Sequence, residues 1–355
     1  MKKAISIFSL ALVSLFSFGQ NKEAADKLCD EGIIYHDKGD YEGAIARYDQ
    51  ALELDKDNLY ALGEKAFSLL SLQKHDEAIR ICEKAISINP TDPIIKSVYV
   101  TYGNALDALK KTDQSIAVYD KGLVHFPEFY QLYFNKGVTL VSVKKYDDAM
   151  ANFQNAVLCN PGHGSSHNAI ARLSAMKEKD MHAILAFSRF LVVEPQSTRS
   201  QENIKFLLET MKFNVEQTGK KSVTINISES LFSDTTATGA PTEDSFATTE
   251  LILMTEAALD YDKKLKKQTE VEKFLRKINT MCDSMKEVQA KNHGFFWEYY
   301  APYFIEMKNK NHTETFAYIA FASTEDKDAA KWLESHDTEI TAFYDWSKSF
   351  SWKKR

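Results

Sequence analysis

Cysteine is scarce in this sequence: four thiols in 355 residues, at Cys29, Cys82, Cys159 and Cys282, with no CxxC pair among them. Thiols so far apart supply no dense disulfide framework, and they read as free and mostly buried. Catalytic signatures are missing too: there is no GxSxG, no HExxH and no phosphate-cradling Gly-rich loop. His293 with Glu298, or His336 with Asp337, can be paired on paper, as chance allows in any long chain. The expectation is a protein that is not an enzyme and needs no cofactor. Cationic surface is also lacking. The net charge is −6, and runs such as Lys263-Lys264 and Lys266-Lys267 are short enough to be a solvated helix face. Nucleic-acid binding, which relies on neutralising phosphates, is therefore not expected.

Long apolar runs are absent as well, with one informative near-miss. Ile5 to Phe18 follows a basic "MKK" and precedes Gly19, and its fourteen residues fall short of the ~20 needed to span a bilayer. Ser17 and Gly19 are the small residues that cleavage before Gln20 would require. This layout predicts a secretory signal peptide over residues 1–19, leaving no stable membrane insertion after cleavage. The first cysteine is as distant as Cys29, so lipid attachment is not expected. A bacterial protein of the periplasm or the exterior follows.

What is present is ordinary globular composition, 44% hydrophobic and 26% charged, at a length suited to two domains. The first half repeats. Small residues recur at Gly32, Ala66, Gly103, Gly137 and Ala171, with separations of 34, 37, 34 and 34. Ala44, Ala78, Ser115, Ala149 and Ala183 keep the same spacing, as do Tyr48, Cys82, Tyr119, Phe153 and Phe187. Ala51, Ala85, Gly122, Ala156 and Phe190 follow, and Lys56, Pro90, Pro127, Pro161 or Pro195 closes each repeat. Small residues in both helices of a pair allow close antiparallel approach, larger ones fill the space between, and Pro ends the pair.

The pattern resembles the tetratricopeptide repeat over residues 25–197, in five helix–turn–helix repeats: 25–58, 59–92, 96–129, 130–163 and 164–197. Departures are local: Glu31, Lys65, Tyr102, Lys136 and Ile170 replace the usual Leu, and Ser174 replaces a larger residue. Residues 198–211 suit a helix covering the last apolar face, with a capping box from Thr198 and Gln201 and a stripe of Ile204, Leu207, Leu208 and Met211. The predicted fold is all-α: a solenoid with its capping helix over 25–211, then a mainly helical C-terminal domain.

The resemblance implies a concave groove lined by the first helix of each repeat, binding a protein or peptide partner. Its usual lining positions fall on Asp26, Cys29, Ile33 and His36, then Tyr60, Phe67 and Leu70. They continue through Ser97, Val100, Asn104 and Asp107 to Gln131, Phe134, Val138 and Val141, and end at Asn168, Arg172 and Met176. Co-chaperones of the family clamp a C-terminal carboxylate with two Asn and several cations. Asn104 and Asn135 match the Asn pair, but Val100, Ser165 and Ala169 stand where cations are needed. A segment held by apolar and amide contacts fits better. The C-terminal helices or the 230–245 loop filling the groove themselves are the alternative occupants.

Residues 212–245 read as a short strand, "SVTINIS", and a flexible Ser/Thr-rich linker. Asp234-Thr235-Thr236 within it resembles a bacterial O-glycosylation sequon. From 246, helices resume. Val271, Phe274, Leu275, Ile278, Met281, Cys282, Met285 and Val288 share one helix face, and "FFWEYYAPYFIEM" reads as a buried helix interrupted near Pro302. Trp297, Tyr299, Tyr300, Tyr303, Trp346 and Trp352 are expected to build a core; the alternative is a platform for a glycan or apolar ligand. His163 and His167 have zinc-like spacing, with His182 nearby. The repeat register nevertheless puts His163 in the turn between repeats and His167 at a packing position, so no metal site is expected. The oligomeric state is not encoded in any of these patterns.

Overall fold

A computed structural model describes residues 22–219, 222–227, 231 and 242–354. The expected signal peptide and Asp234-Thr235-Thr236 lie outside the described residues. No helix among the described residues is long and apolar enough to cross a membrane. The expected pairs form: α1 (22–37) with α2 (Tyr41–Leu54), α3 (Leu59–Ser71) with α4 (His75–Ile88), and α5 (Lys96–Ala108) with α6 (Thr112–His125). α7 (Tyr130–Ser142) leads into α8 (Tyr146–Cys159), and α9 (Gly164–Met176) pairs with α10 (Asp180–Val193). The chain divides into two compact units, one ending at Asn152 and one beginning at Phe153.

In the first unit the repeated small residues do the work the spacing implied. Gly32 and Gly103 sit so close to the rings of Tyr48 and Tyr119 that a Cβ at either would overlap the ring. Both tyrosines are fully buried. The three residues that lengthen one repeat interval form a short 3₁₀ turn, Pro93–Ile95, capped by the Asp92 side chain, which inserts Ile95 into the core. Turns within repeats share one construction. Gly39, Gln73, Lys110, Lys144 and Glu178 all have φ between 55° and 81°. The following N–H returns to the helix: Asp40 to Tyr35 O, Lys74 to Leu69 O, Lys111 to Leu106 O, Lys145 to Leu140 O and Lys179 to Ser174 O. These left-handed closures satisfy carbonyls that a helix end otherwise orphans.

The second unit joins the fifth repeat to all the C-terminal helices, so the compact division falls well before the boundary expected at residue 246. α11 (Thr198–Thr210) caps α10, burying Ile204, Leu207 and Met211. Its N-cap is Ser197, whose Oγ accepts from Ser200 N, instead of Thr198; the helix starts one residue earlier than the capping-box reading supposed. β1 (Val215–Gln217) and β2 (Val223–Ile225) form an antiparallel hairpin with Val215 opposite Ile225. There follow α12 (Ala247–Ala258), α13 (Glu270–Val288), α14 (Phe295–Asn309), α15 (Thr313–Ala320), α16 (Lys327–Ser335) and α17 (Asp337–Ser349).

The stripe on α13 is buried as expected, from Val271 to Met285, behind a Thr269–Glu272 capping box. Two expectations need correction. α14 runs through Pro302 without interruption; the surrounding packing outweighs the one backbone bond that Pro removes. The Lys263–Lys267 run is exposed but lies around a 3₁₀ turn, Leu265–Lys267, instead of on a helix face. α10 packs on α9, α11, α14 and α15. Burial on every side explains why Met181 and the whole stretch from Ala183 to Val192 are inaccessible.

Candidate functional site

First helices of successive repeats lie side by side in the first unit, α3 against α5 and α5 against α7. α1 joins them through side chains: Asn58 Nδ2 donates to Asp26 Oδ1 at 2.9 Å, and Tyr60 OH donates to Asp30 Oδ1 at 3.3 Å. The centre of this end is an aromatic pair. The His36 ring stacks on Phe67 at 4.7 Å and 21°, with Tyr41 edge-on at 4.9 Å. His36 Nδ1 is 2.7 Å from the Ser68 hydroxyl, which pins the ring. Burial lowers the His36 pKa, so the ring is neutral at pH 7. Phe67 nonetheless remains 46% exposed, an uncommon state for a ring so firmly held.

The other expected lining residues divide into two groups. Ile33, Leu70, Asp107, Gln131 and Phe134 are half-buried on the same helices, and Val138 is 45% exposed. Asn104 Oδ1 accepts from Tyr119 OH at 2.6 Å, so this amide orders the floor of the face. The Gln131 carbonyl accepts from Asn135 Nδ2 at 2.8 Å. Cys29 does not line the face: it is fully buried with Ala25, Ala44, Tyr48, Ala51 and Ala61, because its side chain turns toward α2. Burial first, then Asp26 and Asp30, push its thiol up to about 12, so it stays protonated.

In the second unit, Asn168 and Arg172 are engaged by their own capping helix. Asn203 Nδ2 donates to Asn168 Oδ1 at 3.0 Å, while Arg172 donates to Asn203 Oδ1 at 3.2 Å and Glu202 Oε2 at 3.3 Å. The Arg172 guanidinium also lies 5.1 Å from the Phe206 ring centroid. A polar recess of about 650 Å³ near the end of α11 is lined by Glu178, Asp180, Glu209, Lys212 and Glu216 among others. Burial, then Glu178, raise the Asp180 carboxyl to about 6.

Several groups on the face of the first unit escaped the family positions. Asp30, Asp37 and Glu64 belong to it, and the buried Ser68 supports it through His36. Tyr60 is pushed up to about 12 by burial and by Asp30 and Glu64, and Glu64 is raised by burial and by Asp37. The repeat interval held the signal, since Asp30 and Glu64 are 34 residues apart in one register.

The three histidines are committed elsewhere. His163 Nδ1 meets Ser166 Oγ at 2.8 Å. His182 Nε2 meets the Asp244 carbonyl at 2.9 Å, its ring stacked on Phe296. His167 is fully buried, with Nε2 3.0 Å from the Pro161 carbonyl and Nδ1 2.8 Å from Tyr300 OH. A carbonyl only accepts, so Nε2 carries the proton and Tyr300 donates to Nδ1. The C-terminal aromatics are mostly core, with Trp346 and Trp352 half-buried. Trp297, Tyr299, Tyr300 and Tyr303 are all buried, and Tyr299 OH donates to the Val157 carbonyl at 3.0 Å. These four rings are closed to a ligand.

Comparison with known proteins agrees with this architecture. Residues 35–100 and 130–163 match family models described as tetratricopeptide repeat. A Dictyostelium discoideum protein named STIP1 homolog is 32% identical over 99 residues, 27% of this chain and 18% of its own length. The photosystem I assembly protein Ycf3 of Prochlorococcus marinus is 26% identical over 140 residues, 38% of this chain and 81% of that protein. Among solved structures, a Thermus thermophilus TPR protein, TTC0263, aligns with TM-score 0.45 and 16% identity, covering 53% of this chain and 99% of that one.

Proposed function

We propose, for a chain that is a tetratricopeptide repeat protein over residues 35–100 and 130–163, that the first-helix face of its first four repeats is a docking surface for a protein or peptide segment. The observation that carries this reading is Phe67, held by His36 and Ser68 yet 46% exposed, with Val138 exposed at the same repeat register. Exposed apolar side chains on a preorganised face lose little entropy on binding and gain the most from being covered. The protein acts here as a scaffold and not as an enzyme. Its proposed setting is the periplasm or the exterior of a bacterium, reached by the leader over residues 1–19.

The test is affinity capture from a bacterial envelope extract with three baits: wild type, Phe67→Asp/Val138→Asp, and Val124→Asp. Val124 is 79% exposed but sits on α6, a second helix, so it controls for surface charge alone. Specific partners should be lost with the double variant and kept with Val124→Asp. Equal recovery by all three baits would sink the proposal. N-terminal sequencing of the protein from the envelope fraction, expected to begin at Gln20, tests the setting.

A further inference from the structure

The charges on the first-helix face all have one sign. Across the first four repeats, the registers of Asp26, Cys29, Asp30, Ile33, His36 and Asp37 hold five carboxylates, Asp26, Asp30, Asp37, Glu64 and Asp107, and neither Lys nor Arg. Three nearby cations of the first unit pair with other carboxylates: Lys65 with Asp49, Lys136 with Asp120, and Arg47 with Glu31. None of the five carboxylates makes an ion pair among the described residues. Four of the five belong to the first two repeats, as Phe67 does. Asp26 accepts from Asn58 and Asp30 from Tyr60, while Glu64 interacts with Asp37 and both Asp30 and Glu64 act on Tyr60.

From this charge pattern beside an exposed apolar ring, we infer that the occupant of the face is a basic segment, one whose Lys or Arg side chains flank an apolar anchor that covers Phe67. The inference rests on the docking reading above and adds the partner's chemistry to it. Like charges held close without counterions repel one another, and an ammonium or guanidinium relieves that repulsion while an acidic segment worsens it. The half-buried Glu64 carries the largest stake. Its proton affinity is raised by burial and by Asp37, and a partner cation beside it would favour the ionised form. The ring contributes in a second way, since an exposed Phe face attracts a cation placed over it. The arrangement is opposite in sign to a carboxylate clamp, whose cations this face lacks.

The experiment selects a phage-displayed library of random dodecapeptides on the full chain, with clones that also bind Phe67→Asp removed. Selected sequences should carry net positive charge with Lys or Arg beside an aromatic or aliphatic residue. Fluorescence anisotropy of a selected peptide should show at least tenfold weaker binding to Asp30→Asn/Asp37→Asn/Glu64→Gln, and weakening as salt rises. Circular dichroism at 222 nm would confirm that the variant is folded. Selection of neutral or acidic peptides, or unchanged affinity in the folded triple variant, overturns the basic-segment inference and leaves the docking face standing. Recovery of no peptide that depends on Phe67 overturns both.

Discussion

His167 offers a test of the second unit whose size can be worked out before it is measured. Its ring is wholly buried, donating to the Pro161 carbonyl and accepting from Tyr300. Burial first, then the neighbouring Arg189, lower its pKa from 6.5 to about 3. The unfolded chain therefore takes up this proton as pH falls through 6.5, while the folded chain does not until near pH 3. Stability supplied by the neutral ring is present above pH 6.5 and drains away on acidification. Between pH 7.5 and 5.0 the loss comes to about 2 kcal/mol, at ~1.36 kcal/mol for each pH step below 6.5. Asp180 and Asp244 oppose it. Burial raises both to about 6, so each takes up a proton in the folded state and regains stability over the same interval. Only a comparison isolates the histidine. His167→Gln keeps an acceptor for Tyr300 and a donor for Pro161 but cannot titrate. Trp297, Trp332, Trp346 and Trp352 all lie in the second unit, so tryptophan fluorescence during urea unfolding reports that unit alone. Wild type should lose about 2 kcal/mol more than His167→Gln between the two pH values. A difference below about 0.5 kcal/mol would refute the assignment of a buried, neutral ring.

Other substitutions test other joints. Arg189 is buried between the rings of Tyr303 and Trp352 and donates to Tyr303 OH and Ser347 Oγ, with its Nε unpartnered among the described residues. Tyr303 and Ser347 also bond each other, so Arg189→Met should cost under about 1 kcal/mol in the same fluorescence assay, whereas Arg189→Ala should cost about 3. Gly103→Ala should destabilise the first unit by about 1–3 kcal/mol despite its better helix propensity, because the methyl meets the Tyr119 ring; circular dichroism at 222 nm reads the change. Lys110→Gly, at φ 61°, should instead raise stability by up to about 1 kcal/mol in that assay. No disulfide joins the cysteines among the described residues, so dithiothreitol should leave the melting temperature unchanged, and disulfide bands on a non-reducing gel would contradict this.

The legible part of the fold was the part whose cause is local. Gly32 and Gly103 stand where Tyr48 and Tyr119 need room, and the repeat interval exposes that need without knowledge of any distant contact. The same register placed His167 at a packing position. The turns were legible in place but not in kind, since Gly39 alone advertises a left-handed residue while Gln73, Lys110, Lys144 and Glu178 adopt it unannounced. Their strain is offset by the backbone bonds that each turn closes. At the candidate site, transferred positions found Phe67 and Val138 but included Cys29, whose side chain turns inward. They also passed over Asp30, Asp37 and Glu64, the carboxylates on which the basic-segment proposal rests. The second unit was the least legible, because its contacts join residues far apart: His167 and Tyr300 are 133 positions apart, and Arg189 and Ser347 are 158 apart. Periodicity reports which side of a helix is buried and is silent about what buries it.

One clue to that unit was nevertheless present. A second helix of a repeat ordinarily keeps one side in water, yet the α10 sequence "AILAFSRFLVV" is apolar on all sides. A helix apolar all round is one that is covered all round, and α9, α11, α14 and α15 supply the cover. On the first-helix side of the same repeat, Asn168 and Arg172 spend hydrogen bonds on Asn203 and Glu202, while Met176 stays 52% exposed. The fifth repeat thus keeps the fold of its neighbours while its second helix is covered within its own unit. The proposed docking face is accordingly drawn on positions 26 to 141, where the exposed Phe67 ring and carboxylates without ion pairs among the described residues are found together.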